Sequence, residues 1–193
     1  AELGDKTFFV ALILAARRRG RWLGVGAFAA LAAVTVLSLL VGFGLRELLP
    51  TSLVPWLAAL LFLGFGIKLL VEAQWMKQGA DGEEEEAEVL VDRAEARHRY
   101  VGPRAVIGEA FSLVFLAELG DRTQFATIFL AAAPGFSIAG LLAGSLAGHA
   151  LVTWLAVGAG KWIGRRISER LLYRLSGALF VVFGLVAMLQ ATT

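Results

Sequence analysis

Two copies of a short charged motif stand in an otherwise apolar chain, and they are the residues of this sequence best suited to chemistry. The first copy, Ala-Glu-Leu-Gly-Asp-Lys-Thr, occupies Ala1–Thr7, and the second, Ala-Glu-Leu-Gly-Asp-Arg-Thr, occupies Ala117–Thr123. A charge at bilayer depth costs at least about 2.5–3.5 kcal/mol on insertion scales, so an ionisable residue there indicates a functional site. Two copies of such a motif favour one shared site over a chance recurrence.

The carboxylates of the two motifs suit a hard divalent cation. On a continuous helix, residues i, i+3 and i+4 share a face, so the two acids and the base of each motif are expected to project together. If both faces meet near the midplane, four carboxylates and two bases carry a net charge of −2, which one divalent ion neutralises. Oxygen ligands of this kind bind Mn²⁺, Ca²⁺ or Mg²⁺. The predicted metal ligands are Glu2, Asp5, Glu118 and Asp121.

Protons are expected to compete with the metal for the same oxygens, because burial and like charge both disfavour ionised carboxylates. A site that holds either one divalent ion or protons is the physical basis of a cation/proton antiporter. The residues predicted to orient the ligands or to couple to protons are Lys6, Arg122, Thr7, Thr123, Gln124, Thr35, Ser38, Thr153 and His149. The alternative for each motif is an internal i, i+4 ion pair that merely makes buried charge tolerable.

The composition predicts an all-α integral membrane protein with six transmembrane helices. The chain is 58% hydrophobic, with a mean hydropathy of +0.73, and a bilayer core needs about 20 apolar residues per helix. The predicted spans are Ala1–Ala16, Trp22–Leu45, Leu53–Val71, Ala105–Ala133, Phe136–Gly160 and Leu171–Gln190. The first is too short to span alone, so its helix is expected to begin before Ala1. The chain has no cysteine, which excludes disulfides and thiolate metal sites.

The repeat predicts how these helices are organised. Residues 1–75 form the first three-helix repeat, residues 76–104 a polar cytoplasmic linker with an acidic run at Glu83–Glu86, and residues 105–193 the second repeat. Three is an odd number, so the second repeat enters the membrane from the opposite side, which gives two inverted repeats. Such symmetry suits alternating access to one central site.

Loop charges predict the orientation. Loops one, three and five carry fourteen basic residues, whereas the second loop offers Arg46 and the fourth has none. This bias places the three basic loops in the cytoplasm and both termini outside. We expect a multi-pass protein of a bacterial plasma (inner) membrane. The formal charge of +2 is too small to suggest a nucleic-acid partner, and a homo-oligomer is compatible with the sequence.

The segments Glu2–Thr7 and Glu118–Gln124 resemble the Glu-x-Gly-Asp-Lys/Arg-Thr/Ser signature of a known family. That family includes human transmembrane protein 165 and its yeast Golgi, chloroplast and bacterial relatives. The resemblance covers both repeats and implies a transporter without a cofactor, which exports Mn²⁺, and often Ca²⁺, in exchange for protons. It also implies a distant relation to the calcium/cation exchangers, with the acids of both motifs as ion ligands. The manganese preference comes from this resemblance, since the residue chemistry indicates only a hard divalent cation.

Three other classes of protein compete with the antiporter. A divalent-cation channel or uniporter would use the same carboxylates without proton coupling. An intramembrane aspartyl protease needs a Gly-x-Gly-Asp element, but Glu2 takes the position of the first glycine, and a basic residue follows each aspartate. A membrane scaffold would tolerate the loss of Glu118 or Asp121. We therefore expect no enzymatic activity.

Overall fold

The fold is all-helical throughout the part that the computed structural model describes, which comprises residues 20–50, 52–75, 87–92, 102–163 and 169–192 with Val10 and Ile13. We number the main helices in chain order. They are α1 (Gly20–Leu48), α2 (Leu53–Trp75), α3 (Pro103–Glu118), α4 (Arg122–Ala132), α5 (Ile138–Ile163) and α6 (Glu169–Thr192). Residues 87–92 are also helical.

Four of these helices are long and apolar enough to cross a bilayer, which confirms an all-α membrane protein. The candidate spans are Arg21–Leu48, Leu53–Trp75, Ile138–Gly158 and Arg170–Leu189, within α1, α2, α5 and α6. The predicted span Ala1–Ala16 lies outside the described residues, apart from Val10 and Ile13. The six-span count and the inverted repeat stay predictions.

The predicted continuous span Ala105–Ala133 is wrong in one respect, because the helix is broken in its middle. Helix α3 has 16 residues, α4 has 11, and residues 119–121 separate them. Neither half alone reaches the length of about 20 residues that a bilayer core requires. A discontinuous helix of this kind is typical of transporter binding sites.

The chain divides into two compact units, each made of three stretches. The first contains Ala1–Val34, Ala80–Asp121 and Ser145–Ser168, and the second contains Thr35–Gly79, Arg122–Gly144 and Glu169–Thr193. The chain thus passes from one unit to the other between Asp121 and Arg122, the peptide bond at which α4 begins.

The first unit is held together by small and branched apolar side chains of α1, α3 and α5. Leu23 of α1 is 1% exposed, Val114 of α3 is fully buried, and Ala156 of α5 is 1% exposed, all within one apolar cluster. Phe111 and Phe115 of α3 stack with ring centroids 5.6 Å apart. Because Glu118 is the last residue of the same helix, this packing sets the position of its backbone.

Close packing of α2 on α6 organises the second unit. A β-carbon added at Gly66 would lie 2.8 Å from the backbone nitrogen of Val181 and 2.9 Å from the carbonyl oxygen of Gly177. Nearby, the rings of Phe62 and Phe180 meet with centroids 5.7 Å apart. In a bilayer, burial of apolar area does not favour helix association. Van der Waals contact between backbones at small residues stabilises the helix pair instead.

We expect Gly66→Ala to destabilise the second unit, because the added methyl group meets backbone atoms that cannot move aside. Overpacking of this kind typically costs about 1–3 kcal/mol. Thermal unfolding of the detergent-purified protein should therefore show a lower midpoint for Gly66→Ala. The matched control is Gly64→Ala in the same helix, where an added β-carbon has no neighbour within 4 Å. Equal midpoints for the two variants would contradict the packing argument.

Candidate cation site

The second charged motif lies across the break between α3 and α4. Glu118 is the last residue of α3 and is 2% exposed. Asp121 directly precedes α4, and its side chain is partly buried. The motif therefore joins the carboxyl end of one short helix to the amino end of the next, and it places its two acids on either side of the connection.

The connection is a type II β-turn, which the motif's glycine makes possible. Leu119 has φ −64° and ψ 116°, Gly120 has φ 86°, and the N–H of Asp121 donates to the carbonyl oxygen of Glu118 at 3.1 Å. A type II turn has angles near −60° and 120° at its second residue and a φ near 80° at its third, where glycine is favoured. Glycine suits this position because a residue with a side chain is disfavoured at a φ of 86°. The turn at Gly120 therefore separates the two helices.

The ends of the two short helices give the turn a useful charge distribution. A helix carries a partial negative charge at its carboxyl end and a partial positive charge at its amino end. Asp121 stands at the amino end of α4, where a carboxylate is favoured. Glu118 stands at the carboxyl end of α3, where its negative charge adds to that of the backbone carbonyls. A bound cation would relieve this repulsion at Glu118. In other transporters, the carboxyl ends of half-helices coordinate cations in this way.

One part of the sequence interpretation is therefore corrected. The expectation that Glu118, Asp121 and Arg122 share one face assumed an unbroken helix, and the turn removes the i, i+3 relation on which it rested. Glu118 and Asp121 are instead the first and last residues of the turn. The relative position of their backbones thus depends on Gly120 and not on helical periodicity.

The first motif cannot be compared in the same way. Its predicted ligands Glu2 and Asp5 lie outside the described residues, as do Lys6 and Thr7. Within the described ranges, no three acidic or histidine side chains form a group that could hold a metal. The four-carboxylate site therefore remains a prediction.

The predicted hydroxyl residues lie mostly in protected positions. Thr35 and Ser38 are 4% and 1% exposed and stand one turn apart on α1, while Thr153 of α5 is 3% exposed. His149 is partly buried and lies one turn before Thr153. Burial of polar side chains in membrane helices is costly, so these positions are compatible with a role near an ion pathway.

The remaining predicted residues begin α4. Thr123 and Gln124 are partly buried, and the carbonyl oxygen of Thr123 accepts a hydrogen bond from the hydroxyl of Thr127 at 2.9 Å. Hydroxyl groups in membrane helices commonly bond to the backbone one turn earlier. The bond involves the backbone of Thr123, and a role for its hydroxyl at the site stays a prediction.

Arg122 has partners that the sequence did not predict. Its Nη1 lies 4.0 Å from Oε2 of Glu72 in α2, and its Cζ lies 5.7 Å from the centre of the Tyr173 ring in α6. Lys68, one turn before Glu72, has its Nζ 3.6 Å from Oε1 of the same carboxylate. The only sequence signal for this cluster was the pair of opposite charges at Lys68 and Glu72, four residues apart near the end of an apolar helix.

Comparison with known proteins finds a family whose sequence pattern this chain matches. A family model described as "Divalent cation/proton antiporter GDT1" matches residues 1–77 and 106–193. The unmatched residues 78–105 coincide closely with the polar linker of the sequence analysis. No solved structure matches the chain significantly.

Individual relatives match over nearly the whole chain. A GDT1-like protein of Synechocystis is 44% identical over 190 residues, which cover 97% of this chain and 90% of the relative. Divalent cation/proton antiporter GDT1 of Saccharomyces cerevisiae is 32% identical, covering 100% of this chain and 81% of the yeast protein. Protein PAM71, chloroplastic, of Arabidopsis thaliana is 39% identical, and the chain spans 55% of its length.

Proposed function

Because the chain belongs to the GDT1 family of divalent cation/proton antiporters, we propose that it exports Mn²⁺, and also Ca²⁺, from the cytoplasm in exchange for protons. Membership of this family makes the protein a transporter and not an enzyme. Divalent cations and protons are the substrates that the family implies. The choice of Mn²⁺ and Ca²⁺, the direction of transport and the mechanism are the proposal.

The burial of Glu118 is the observation that carries the proposal. Its side chain is 2% exposed at the carboxyl end of a broken helix, where a buried negative charge is costly and adds to that of the backbone carbonyls. A divalent cation or a proton would each relieve that cost. The same carboxylate can therefore hold one or the other but gains little from holding both, and this exclusion couples the two fluxes.

Exchange follows from this competition under alternating access. On the cytoplasmic side, a divalent cation displaces protons from Glu118 and Asp121. On the opposite side, the higher proton concentration reloads the carboxylates and releases the cation. Because protons run down their own gradient on the return step, each cycle can move the cation against its gradient.

The inverted repeat supplies the proposed conformational change. We place Glu2 and Asp5 opposite Glu118 and Asp121 by the internal repeat, which gives six helices and one site with four carboxylates. Thr35, Ser38, Thr153 and His149 would then line or support the pathway. We place the protein in a bacterial plasma membrane with the basic loops in the cytoplasm.

Transport in proteoliposomes tests this proposal. Purified protein is reconstituted, and Mn²⁺ and Ca²⁺ fluxes are followed with and without an imposed pH gradient. We expect cation flux that accelerates when protons can move in the opposite direction, together with a pH change inside the vesicles that follows cation movement. A collapsed proton gradient should reduce the flux.

The closest competitor is a channel or uniporter, and the same experiment separates it. A flux of equal rate with and without the pH gradient would contradict the antiporter and favour the channel. Vesicles that carry neither Mn²⁺ nor Ca²⁺ faster than protein-free vesicles would contradict the hard-cation proposal itself.

A further inference from the structure

Arg122 is the charged residue of the second motif whose surroundings the antiporter mechanism does not explain. It lies in the second unit and is held from two sides, by Glu72 of α2 at 4.0 Å and by the ring of Tyr173 of α6 at 5.7 Å. Its side chain is 21% exposed. We call Lys68, Glu72, Arg122 and Tyr173 the arginine clamp.

The residues of the clamp are not repeated in the sequence. In this part of the repeat, equivalent positions are 118 residues apart, as in the match of Leu61–Gly66 with Leu179–Gly184. At that offset, Glu72 corresponds to Gln190, Lys68 to Val186, and Tyr173 to Pro55. The counterparts carry no charge or aromatic ring, so duplication does not account for the clamp.

The position of Arg122 in the chain gives the clamp a consequence for the carboxylates. Arg122 directly follows Asp121 in the chain, so a positively charged residue adjoins a predicted ligand of a divalent cation. A positive charge repels a cation, and a carboxylate paired with the guanidinium offsets part of that repulsion. Tyr173 adds a fixed attraction through the face of its ring. Glu72 and Tyr173 thus hold the guanidinium and partly neutralise it.

We propose that Glu72, assisted by Tyr173, is a positioning residue that holds and neutralises Arg122 and thereby sets the affinity of the second motif for a divalent cation. The proposal rests on the proposed function, since it assigns the cation to Glu118 and Asp121. Lys68 opposes the effect, because it competes with Arg122 for the same carboxylate at 3.6 Å. Glu72 itself touches no transported ion in this account.

Glu72→Gln is the first test, because it keeps the size of the side chain and removes its charge. Because a partly exposed ion pair makes only a modest contribution, we expect the KM for Mn²⁺ to rise roughly two- to fivefold while kcat changes little. Glu72→Asp, which keeps the charge, should restore most of the affinity. The control is Glu47→Gln at the exposed end of α1, which removes the same charge away from the clamp.

Lys68→Gln provides a test of opposite sign. Without Lys68, the carboxylate of Glu72 is available to Arg122 alone, so the KM for Mn²⁺ should fall below the wild-type value. The control here is Arg46→Gln, which also removes one exposed positive charge. A KM that falls equally in both variants would overturn the clamp, because a general charge effect would then suffice.

The aromatic partner separates positioning from simple packing. Tyr173→Phe keeps the ring and should keep the wild-type KM, whereas Tyr173→Leu should raise it as Glu72→Gln does. A merely structural role predicts instead lower thermal stability and lower kcat with an unchanged KM. That pattern, in either Glu72→Gln or Tyr173→Leu, would overturn the proposal.

Equilibrium binding of Mn²⁺ to the detergent-purified protein keeps this inference separate from the proposed function. Weaker binding in Glu72→Gln with tighter binding in Lys68→Gln supports the clamp even if reconstituted vesicles show no proton coupling. Equal binding in both variants and wild type overturns the clamp, whether or not the wild-type protein exchanges cations for protons.

Discussion

Glu118→Gln and Asp121→Asn should each reduce Mn²⁺ transport by at least about 100-fold, since loss of even a supporting partner of a metal ligand typically costs 10–100-fold. Both changes keep the size of the side chain and remove its charge. Asparagine is as good a residue as aspartate before a helix, so Asp121→Asn should leave the turn and α4 in place. The measurement is proton-gradient-driven flux in proteoliposomes.

Charge-matched controls make the result specific. Glu47→Gln and Asp92→Asn remove one carboxylate each from exposed positions, and both should transport as the wild type does. Thermal unfolding in detergent should show that the site variants fold. Transport that persists in Glu118→Gln within a factor of two would remove that residue from the site and favour the scaffold or another ion pathway.

Gly120→Ala should have the second large effect, through the shape of the turn and not through any contact. At φ 86°, glycine adopts a conformation that costs an L-residue about 1–2 kcal/mol. An added β-carbon would have no neighbour within 4 Å, so crowding contributes nothing. Alanine also favours a continuous helix, which would replace the turn that sets the backbone positions of Glu118 and Asp121. We expect at least a tenfold loss of transport, which corresponds to about 1.4 kcal/mol.

Two further variants isolate the backbone as the cause. Gly108 lies in α3, which ends just before the turn, has no positive φ and also meets open space, so Gly108→Ala should leave transport unchanged and the helix slightly more stable. Gly120→Asn should retain more transport than Gly120→Ala, because asparagine tolerates positive φ better than other L-residues. If Gly120→Ala and Gly108→Ala transport equally well, the type II turn is not needed for function.

These experiments also divide the site into charge and geometry. Removing a carboxylate keeps the turn but removes a predicted ligand. Changing Gly120 keeps every predicted ligand but alters the backbone between the two acids. The clamp variants belong to neither class, because they change the field at the site while ligands and turn remain. Distinct results for the three groups would show which property limits transport.

The sequence by itself determined the class of protein, and the physical reason is the cost of polar groups in lipid. Apolar segments of about 20 residues are long enough to cross a bilayer as helices, which satisfy their own backbone hydrogen bonds, and acids inside such segments indicate a functional site. The recurrence of Glu-Leu-Gly-Asp therefore predicts Glu118 and Asp121 as ligands of a divalent cation. The same reasoning, with the resemblance it supports, led to the family that the comparisons confirm.

The tertiary structure alone decided how the second motif is arranged. Hydropathy carries no information on backbone conformation, so it did not reveal the break at Gly120 within an apolar run. The sequence did contain two signals of a turn, a glycine after Leu119 and an aspartate before a helix. The partners of Arg122 were equally hidden. Glu72 and Tyr173 lie far from it along the chain, and only the packing of separate helices brings their side chains together.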